Sequence, residues 1–570
     1  MNAIDILSKY WGYSTFRSKQ EEVIENILIN KDVLAIFPVG EGKSICYQVP
    51  ALMKNGVCLV ISPLISLMTD QLRFLSSKGI KSIAIDKNIN LNEVDDIFNK
   101  CKFGGVKFLF LSPERLQNSK VKRKLNDINI NLIAVDEAHC ISEWGHQFRP
   151  SFRKISDLRT ILPQTPILAL TATANKYVID DITTNLHFKK NHEIVKTSLK
   201  KNNISYLVLE NIDKRKKLIE LVEKIKSSII IYANSRKNVE NISKYLNYNK
   251  YNSCFYHAGL SYENRKNIQE KWIKNQIRII VATSSFGMGI NKKDVRLVIN
   301  FSLPPNIETY YQQSGRAGRD NKKAYSILLF DENDIKYQQT LLKQRYPKCY
   351  EIIDFYNNLS NYLQIPIGSV PEDNKFINIE KFKERYKISS IELYNFLNIL
   401  QIEGYIIFKG FVKPHSKLKI ILDTNNLYKF QIENRLYDQF IRLLLRTYPK
   451  LFNEYVSINE EIIAKKINRD INFVKKILNK LEKLEVVKYQ FNDENTINIK
   501  YLISRVDSQY LSFNDVEIEK RKKSDLYRLE KMISFCKNQD QCRRNLILNY
   551  FDEVESNDCE NCSNCLKHDI

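Results

Sequence analysis

The chain has 570 residues, 43% of them hydrophobic, which gives room for three or four domains and several packed cores. Lys and Arg outnumber Asp and Glu by 88 to 65. The net charge of +23 favours a polyanionic partner through phosphate neutralisation, solubility or an AT-rich coding sequence being the plainer explanations. No apolar run reaches the roughly eighteen residues of a membrane span. The start, Met1 to Asp5, lacks a charged-then-apolar leader. A cytoplasmic, nucleoid-associated location is therefore expected, where the 11 cysteines stay reduced.

In chain order, residues 1–200 alternate short unbroken apolar runs with helical segments. Val33–Phe37, Val57–Ile61, Phe108–Leu111, Leu132–Val135 and Ile167–Leu170 are expected to be buried parallel strands of a doubly wound α/β lobe. Residues 201–335 repeat the scheme with strands at Ser228–Tyr232, Ile277–Val281 and Leu297–Asn300, predicting a second such lobe. Residues 336–515 turn helical and poor in glycine. Two segments there each read as a short helix, a turn, a longer helix and a strand: about Ile379 to Phe408, and about Glu460 to Val487. That is the outline of a winged-helix unit, with ordinary helical packing as the alternative. Residues 516–570 open on a charged helix and end in a cluster of cysteines, forming a small module of their own.

Three motifs carry chemistry. Phe37–Ser44 follows a strand and opens a helix. Its Gly40 and Gly42 free backbone N–H groups to wrap phosphate oxygens, Lys43 reaches the β- and γ-phosphates, and Ser44 holds Mg²⁺. Asp136 and Glu137 end an apolar strand. Beside a phosphate loop they read as a metal holder and a water-activating carboxylate. Arg316 and Arg319, three apart, would share a face if helical. From the second lobe they reach the nucleotide only when the lobes close, the alternative being a surface pair. Tyr13, Arg17 and Gln20 form a weaker set, with a ring to stack on a base and an amide matched to adenine. Trp144, His146, Phe148 and Arg149, with Phe152 and Arg153, put aromatics among arginines, which suits single-stranded nucleic acid or else a core. Cys542, Cys559, Cys562 and Cys565 offer four thiolates at C-x2-C spacing, suited to tetrahedral Zn²⁺, with an iron–sulfur cluster as rival. Cys536 is assigned to the core.

These motifs resemble the RecQ family of superfamily 2 DNA helicases over residues 5–335 and again at the cysteines. The match is carried by Trp11-Gly12-Tyr13 with Phe16, Arg17 and Gln20, by Ser62–Met68 with Gln71, and by Ser112–Leu116. Asp136–His139, Ile141–Pro150, Leu170–Ala174, Tyr256–Leu260, Phe286–Lys292 and Gln312–Arg319 extend it. The resemblance implies two RecA-like lobes burning ATP with Mg²⁺, and a zinc module. It implies 3′-to-5′ movement on single-stranded DNA and unwinding of forked or branched duplex in repair and recombination. A monomer is expected, with a single-strand-binding protein or repair factors as partners. It gives Gln312, Arg316 and Arg319 a γ-phosphate-sensing role, and His139, Trp144, His146, Phe148 and Arg149 the coupling of DNA to hydrolysis. Two rivals stay open: a translocase or annealing factor that does not separate strands, and a DNA-binding protein with a silent ATP site.

The pattern departs from the family at Val39, Glu41, Gln313 and Asn321, where threonine, glycine, glutamate and glycine are usual. It also departs in layout. About two hundred residues separate the second lobe from the cysteines, and no domain is expected after them. The winged-helix-like pair is expected to stand in for the duplex-opening module.

Overall fold

A computed structural model describes the chain except for residues 1, 64, 86–90, 143–148, 288–291, 372–373, 413–415, 491–495 and 567–570. It divides into two compact units, Met1–Leu342 with Glu519–Ile570, and Lys343–Ile518.

The first unit holds two parallel sheets. In the first lobe, strands β1 (Val33–Ile36), β2 (Val57–Ile61), β3 (Ser82–Ile85), β4 (Phe108–Leu111), β5 (Ile130–Val135), β6 (Ile167–Thr171) and β7 (Glu193–Lys196) lie in the order β3-β4-β2-β5-β6-β1-β7. Helices cover both faces, so the strands carry apolar residues at consecutive positions rather than alternating ones, and β1, β2, β4, β5 and β6 are buried at every residue. Two hydrophobic clusters result, one on each face.

The second lobe repeats this with β8 (Ile204–Glu210), β9 (Ser228–Tyr232), β10 (Ser253–Tyr256), β11 (Ile279–Ala282), β12 (Val295–Asn300) and β13 (Ala324–Phe330), ordered β10-β11-β9-β12-β13-β8. The sequence reading missed β3, β7, β8, β10 and β13. Four of these stand at sheet edges, where half-exposed positions interrupt the apolar run (β7, for example, buries only Val195). In β13 the interruption is Ser326, buried because it hydrogen-bonds Ser314 at 2.7 Å.

The second unit contains two helix-turn-helix units, each packed on a three-stranded antiparallel sheet, one seated in the other. In the outer one, β14 (Lys375–Asn378), helices Ile379–Tyr386 and Ser390–Ile402, and β15 (Ile406–Val412) are completed by β19 (Thr496–Tyr501), which pairs between β14 and β15. The inner one takes β16 (Ser416–Ile420), β17 (Val456–Ile458), helices Glu460–Ile467 and Ile471–Lys483, and β18 (Val487–Gln490), with β16 central. The two ladders share one register, Ile406↔Tyr501 and Lys417↔Gln490 lying equally far along both strands. The inner fold is thus an insertion into the hairpin of the outer.

Local signals explain the repeat. Asn378 and Asn459 cap the first helices, and Ser389 and Asp470 the second. Lys387 and Asn468 close the intervening turn in the left-handed region, both at φ 52°. The two longer helices then diverge in chemistry. Ser390–Ile402 carries no basic residue and exposes Ile391 and Tyr394, whereas Ile471–Lys483 exposes Lys476, Lys480 and Lys483.

Candidate functional site

The phosphate loop leaves β1, Asp136-Glu137 leaves β5, and Thr171–Thr173 leaves β6, which pairs with both. All three reach the carboxyl edge of the sheet side by side, where open parallel sheets place their ligands. Backbone bonds fix the edge: Phe37 N–H donates to Thr171 O at 3.0 Å and Asp136 N–H to Ile61 O at 2.9 Å.

Gly42 stands at φ 75°, where a residue with a Cβ is strained, and a Cβ there would lie 2.8 Å from Gln20 Nε2 and displace that amide. The Gln20 amide donates to Glu41 O at 2.9 Å and Gly42 O at 3.1 Å, while its Oε1 accepts from Arg17 N–H at 2.9 Å. Here Gln20 holds the phosphate loop itself rather than offering its amide outward. The Tyr13 ring is exposed, with the Arg17 guanidinium 5.8 Å from its centre. Ser44 Oγ accepts from Gln71 Nε2 at 3.3 Å, and Gln71 Oε1 in turn accepts from Gln48 at 2.9 Å. In the sequence Gln71 stands only among the residues that carry the family resemblance, beside Ser62–Met68. No sequence spacing links it to Ser44, because the two meet only through the fold.

Burial, reinforced by the neighbouring Glu137 carboxylate, pushes the Asp136 carboxyl up to about 7, with Lys43 opposing. A carboxyl held in that state gains its charge once a cation arrives. Glu137 adopts φ 51°, a left-handed conformation unusual for a residue with a Cβ. Its Oε2 is buried, accepts no hydrogen bond among the described residues, and lies 3.4 Å from His139 Nδ1. His139 Nδ1 also meets Thr171 Oγ1 at 3.1 Å, and Thr171 Oγ1 meets Thr173 O at 3.1 Å. Arg149 donates to Pro63 O at 3.0 Å, joining the end of the aromatic-rich loop to the turn after β2. Trp144, His146 and Phe148 lie outside the described residues. The set fits a hydrated divalent cation: a buried Glu137 carboxylate oxygen that accepts no hydrogen bond among the described residues, a second buried carboxyl on Asp136, and the Ser44 hydroxyl at the loop end. Ser44 and Asp136 would hold the ion.

The second lobe meets this edge through helix Ile307–Ser314 and the turn after it. A Cβ built on Gly315 would stand 3.5 Å from Val39, and one on Gly40 would stand 3.8 Å from the Arg319 side chain. Val39 thus faces the other lobe. Arg316 is buried against Gly287, where a Cβ would come within 3.0 Å of its Nε, so the glycine makes the space. Burial pushes the Arg316 pKa down, opposed by Tyr232 and by the Glu137 carboxylate of the first lobe. Burial also pushes Arg319 down, with the like charge of Arg316 adding to it. Two guanidiniums held close in a dry pocket favour a polyanion. Gln312 lies on the same helix, and Gln313 is buried with its Oε1 accepting from Asn300 Nδ2, a structural role.

In the cysteine module, Cys542 begins helix Arg543–Tyr550 and the four sulfurs of Cys542, Cys559, Cys562 and Cys565 lie within 4.8 Å of one another. A tetrahedral ion with bonds of about 2.3 Å requires sulfurs about 3.8 Å apart. Cys559 N–H donates to the Cys542 sulfur and Arg543 N–H to that of Cys562, each at 3.3 Å, bonds that favour thiolates. These four residues would bind Zn²⁺ as a closed structural site. Cys536 is buried, its carbonyl accepting from Arg543 at 3.3 Å. Cys562→Ser should therefore abolish stoichiometric zinc by elemental analysis and lower the melting temperature by about 10 °C. Full zinc content in that variant would exclude this ligand set.

Two parallel-sheet lobes, one presenting a phosphate loop and paired carboxylates and the other an arginine pair, make up the core of the superfamily 2 helicase class. Sequence models of known families match in four blocks. These are DEAD/DEAH box helicase over residues 17–182, helicase conserved C-terminal domain over 213–321, RecQ helicase winged-helix domain, Bacteroidota, over 418–491, and RecQ zinc-binding over 495–566. The ATP-dependent DNA helicase RecQ of Pasteurella multocida (strain Pm70) is 40% identical over 345 residues, 60% of this chain and 54% of that protein. The probable ATP-dependent DNA helicase RecS of Bacillus subtilis (strain 168) is 40% identical over 353 residues, 61% of this chain and 71% of that one. The chain belongs to the RecQ family. Among solved structures, Mss116p (NTE and C-tail double deletion) bound to ssRNA and AMP-PNP shares the fold with a TM-score of 0.51 at 16% identity, over 70% of this chain and 88% of that one. The matched region spans 54% to 58% of the length of the RecQ proteins of P. multocida, Haemophilus influenzae and B. subtilis. No described helix is long and apolar enough to cross a membrane.

Proposed function

We propose that this chain is an ATP-dependent DNA helicase. On this reading it hydrolyses ATP between its two lobes, moves 3′ to 5′ along single-stranded DNA, and separates forked or branched duplex in repair and recombination. The observation that carries this reading is the approach of Arg319 to Gly40, which brings groups from both lobes to one phosphate site.

Adenine stacks on the exposed Tyr13 ring beside Arg17, and the triphosphate lies on Gly40–Lys43. Gln20, now bonded to Glu41 O and Gly42 O, is placed to pass information between base and phosphate loop. Ser44 and Asp136 would hold Mg²⁺, which would supply charge screening for the polyphosphate. Glu137 accepts the proton of the attacking water. Arg316 and Arg319, with Gln312 on the same helix, stabilise charge on the transferring phosphoryl group. His139 links Glu137 to Thr171–Thr173, so a change at the hydrolytic carboxylate reaches the next loop along the edge. Arg149, tethered to Pro63, is placed to relay strand occupancy to that edge.

The net charge of +23 and the lysines of Ile471–Lys483 support a nucleic-acid substrate. A panel of fork, 3′-overhang, 5′-overhang and four-way-junction substrates tests the reading. Expected is ATP-dependent unwinding of the fork and the 3′ overhang but not the 5′ overhang, with Lys43→Ala inert. DNA-stimulated ATP turnover without strand separation would favour a translocase or annealing factor. No turnover at all would leave a DNA-binding protein with a silent ATP site.

A further inference from the structure

Glu41 sits in the phosphate loop where the family has glycine, so a carboxylate lies on the surface that must wrap a polyphosphate. It is not bare. Lys201 Nζ contacts Glu41 Oε1 at 2.6 Å, with both side chains largely shielded from solvent. Lys201 belongs to the segment between β7 and β8 that joins the lobes. Its neighbours on both sides are gripped by the cysteine module. Lys196 donates to Phe551 O at 2.6 Å and Leu199 N–H to Glu553 Oε2 at 2.8 Å. Ser198 donates to the other oxygen of Glu553, Lys200 pairs with Glu555 at 2.6 Å, and Arg544 donates to Asn202 Oδ1 at 3.3 Å. Lys196 at the end of β7 and linker residues 198, 199, 200 and 202 are therefore fastened to residues 544–555 of the cysteine module, while Lys201 is directed at the phosphate loop.

We propose that Lys201 is a positioning residue of the nucleotide site. It neutralises Glu41 so that the loop can accept a nucleoside polyphosphate, and the cysteine module, by holding the linker, fixes where that charge stands. The proposal rests on the nucleotide-site reading above. The physical reason is electrostatic. A carboxylate within a few ångströms of a triphosphate raises its free energy strongly in a partly dry site, and a fixed ammonium cancels most of that repulsion. Without its Glu41 partner the lysine has little to do, so the two side chains should be coupled rather than additive.

The test is the affinity of the full-length zinc-loaded protein for a fluorescent ADP analogue, with thermal melting as the fold control. Lys201→Ala should weaken binding by about tenfold, and Lys201→Arg by no more than about twofold. Glu41→Gln should bind at least as tightly as the parent, and Glu41→Gln with Lys201→Ala should return to within about twofold of the parent, because the charge to be cancelled is gone. Glu553→Gln, which loosens the linker at a distance, should weaken binding by about threefold and be rescued by the same Glu41→Gln change. A double variant as weak as Lys201→Ala alone would overturn the neutralising role. A silent Glu553→Gln beside an affected Lys201→Ala would overturn the module's share. Lys43→Ala separates the two readings: if it binds like the parent, the nucleotide site is wrongly assigned. If it loses binding while Lys201→Ala does not, only the Lys201 proposal fails.

Discussion

Glu137→Gln should lower DNA-stimulated ATP turnover by about 10³-fold while leaving nucleotide affinity within about twofold of the parent. The substitution keeps size and shape but removes the proton acceptor. The Glu137 backbone, at φ 51°, turns sharply at the end of β5, and its Oε2 accepts no hydrogen bond among the described residues, which supports that role. His139 Nδ1 lies 3.4 Å from Oε2 without hydrogen-bonding it, which leaves the oxygen open to a water. Burial and the Glu137 charge push the neighbouring Asp136 up to about 7, so a cation held there would favour its charged form. Asp136→Asn should therefore weaken Mg²⁺-nucleotide binding, whereas Glu137→Gln should not. Steady-state turnover and nucleotide titration on the same preparations separate these effects. Parent-like turnover by Glu137→Gln would exclude it as the water-activating group. Glu137→Gln should also trap the protein on single-stranded DNA with ATP bound, because the lobes close and cannot discharge.

The central strands and the phosphate loop were legible from the sequence because parallel strands buried on both faces write themselves as unbroken apolar runs. The edge strands were not, since exposure on one side breaks the run, as at β7. The paired winged-helix outlines at Ile379 and Glu460 could be read from helix period, capping and the following strand. Their nesting could not. β19 lies far from β14 in the chain, and nothing local in Thr496–Tyr501 states that it completes a sheet begun at Lys375. The same limit applies in the site. Lys43, Ser44, Asp136 and Glu137 announce themselves by type and context. The contact of Gln71 with Ser44 is not legible in the sequence, although Gln71 is part of the family match, and Lys201 on Glu41 is an ordinary polar residue until the fold brings it there. The reading of Gln20 as an adenine-facing amide came from the same type of local inference. In the structure its hydrogen bonds run to Arg17 and the phosphate loop.

Arg319→Ala should lower turnover by about 10³-fold or more with little change in nucleotide affinity, because a guanidinium supplied from the opposite lobe acts on charge that develops only in the transition state. Arg319 lies against Gly40, at the loop that would hold the β- and γ-phosphates, whereas Arg316 sits deeper between Gly287 and Tyr232. Burial disfavours the Arg319 charge, and the like charge of Arg316 adds to this. Truncating Arg319 should therefore leave the melting temperature unchanged or raise it by a few degrees, which distinguishes a lost catalytic charge from a damaged fold. Arg316→Ala should instead lower the melting temperature, since it empties the space that Gly287 provides. Arg319→Lys should not restore turnover, as an ammonium lacks the planar fork that binds two phosphoryl oxygens. A parent-like rate for Arg319→Ala on single-stranded DNA would show that the second lobe contributes no charge to hydrolysis. Lobe closure would then have no chemical means of timing a step along the strand.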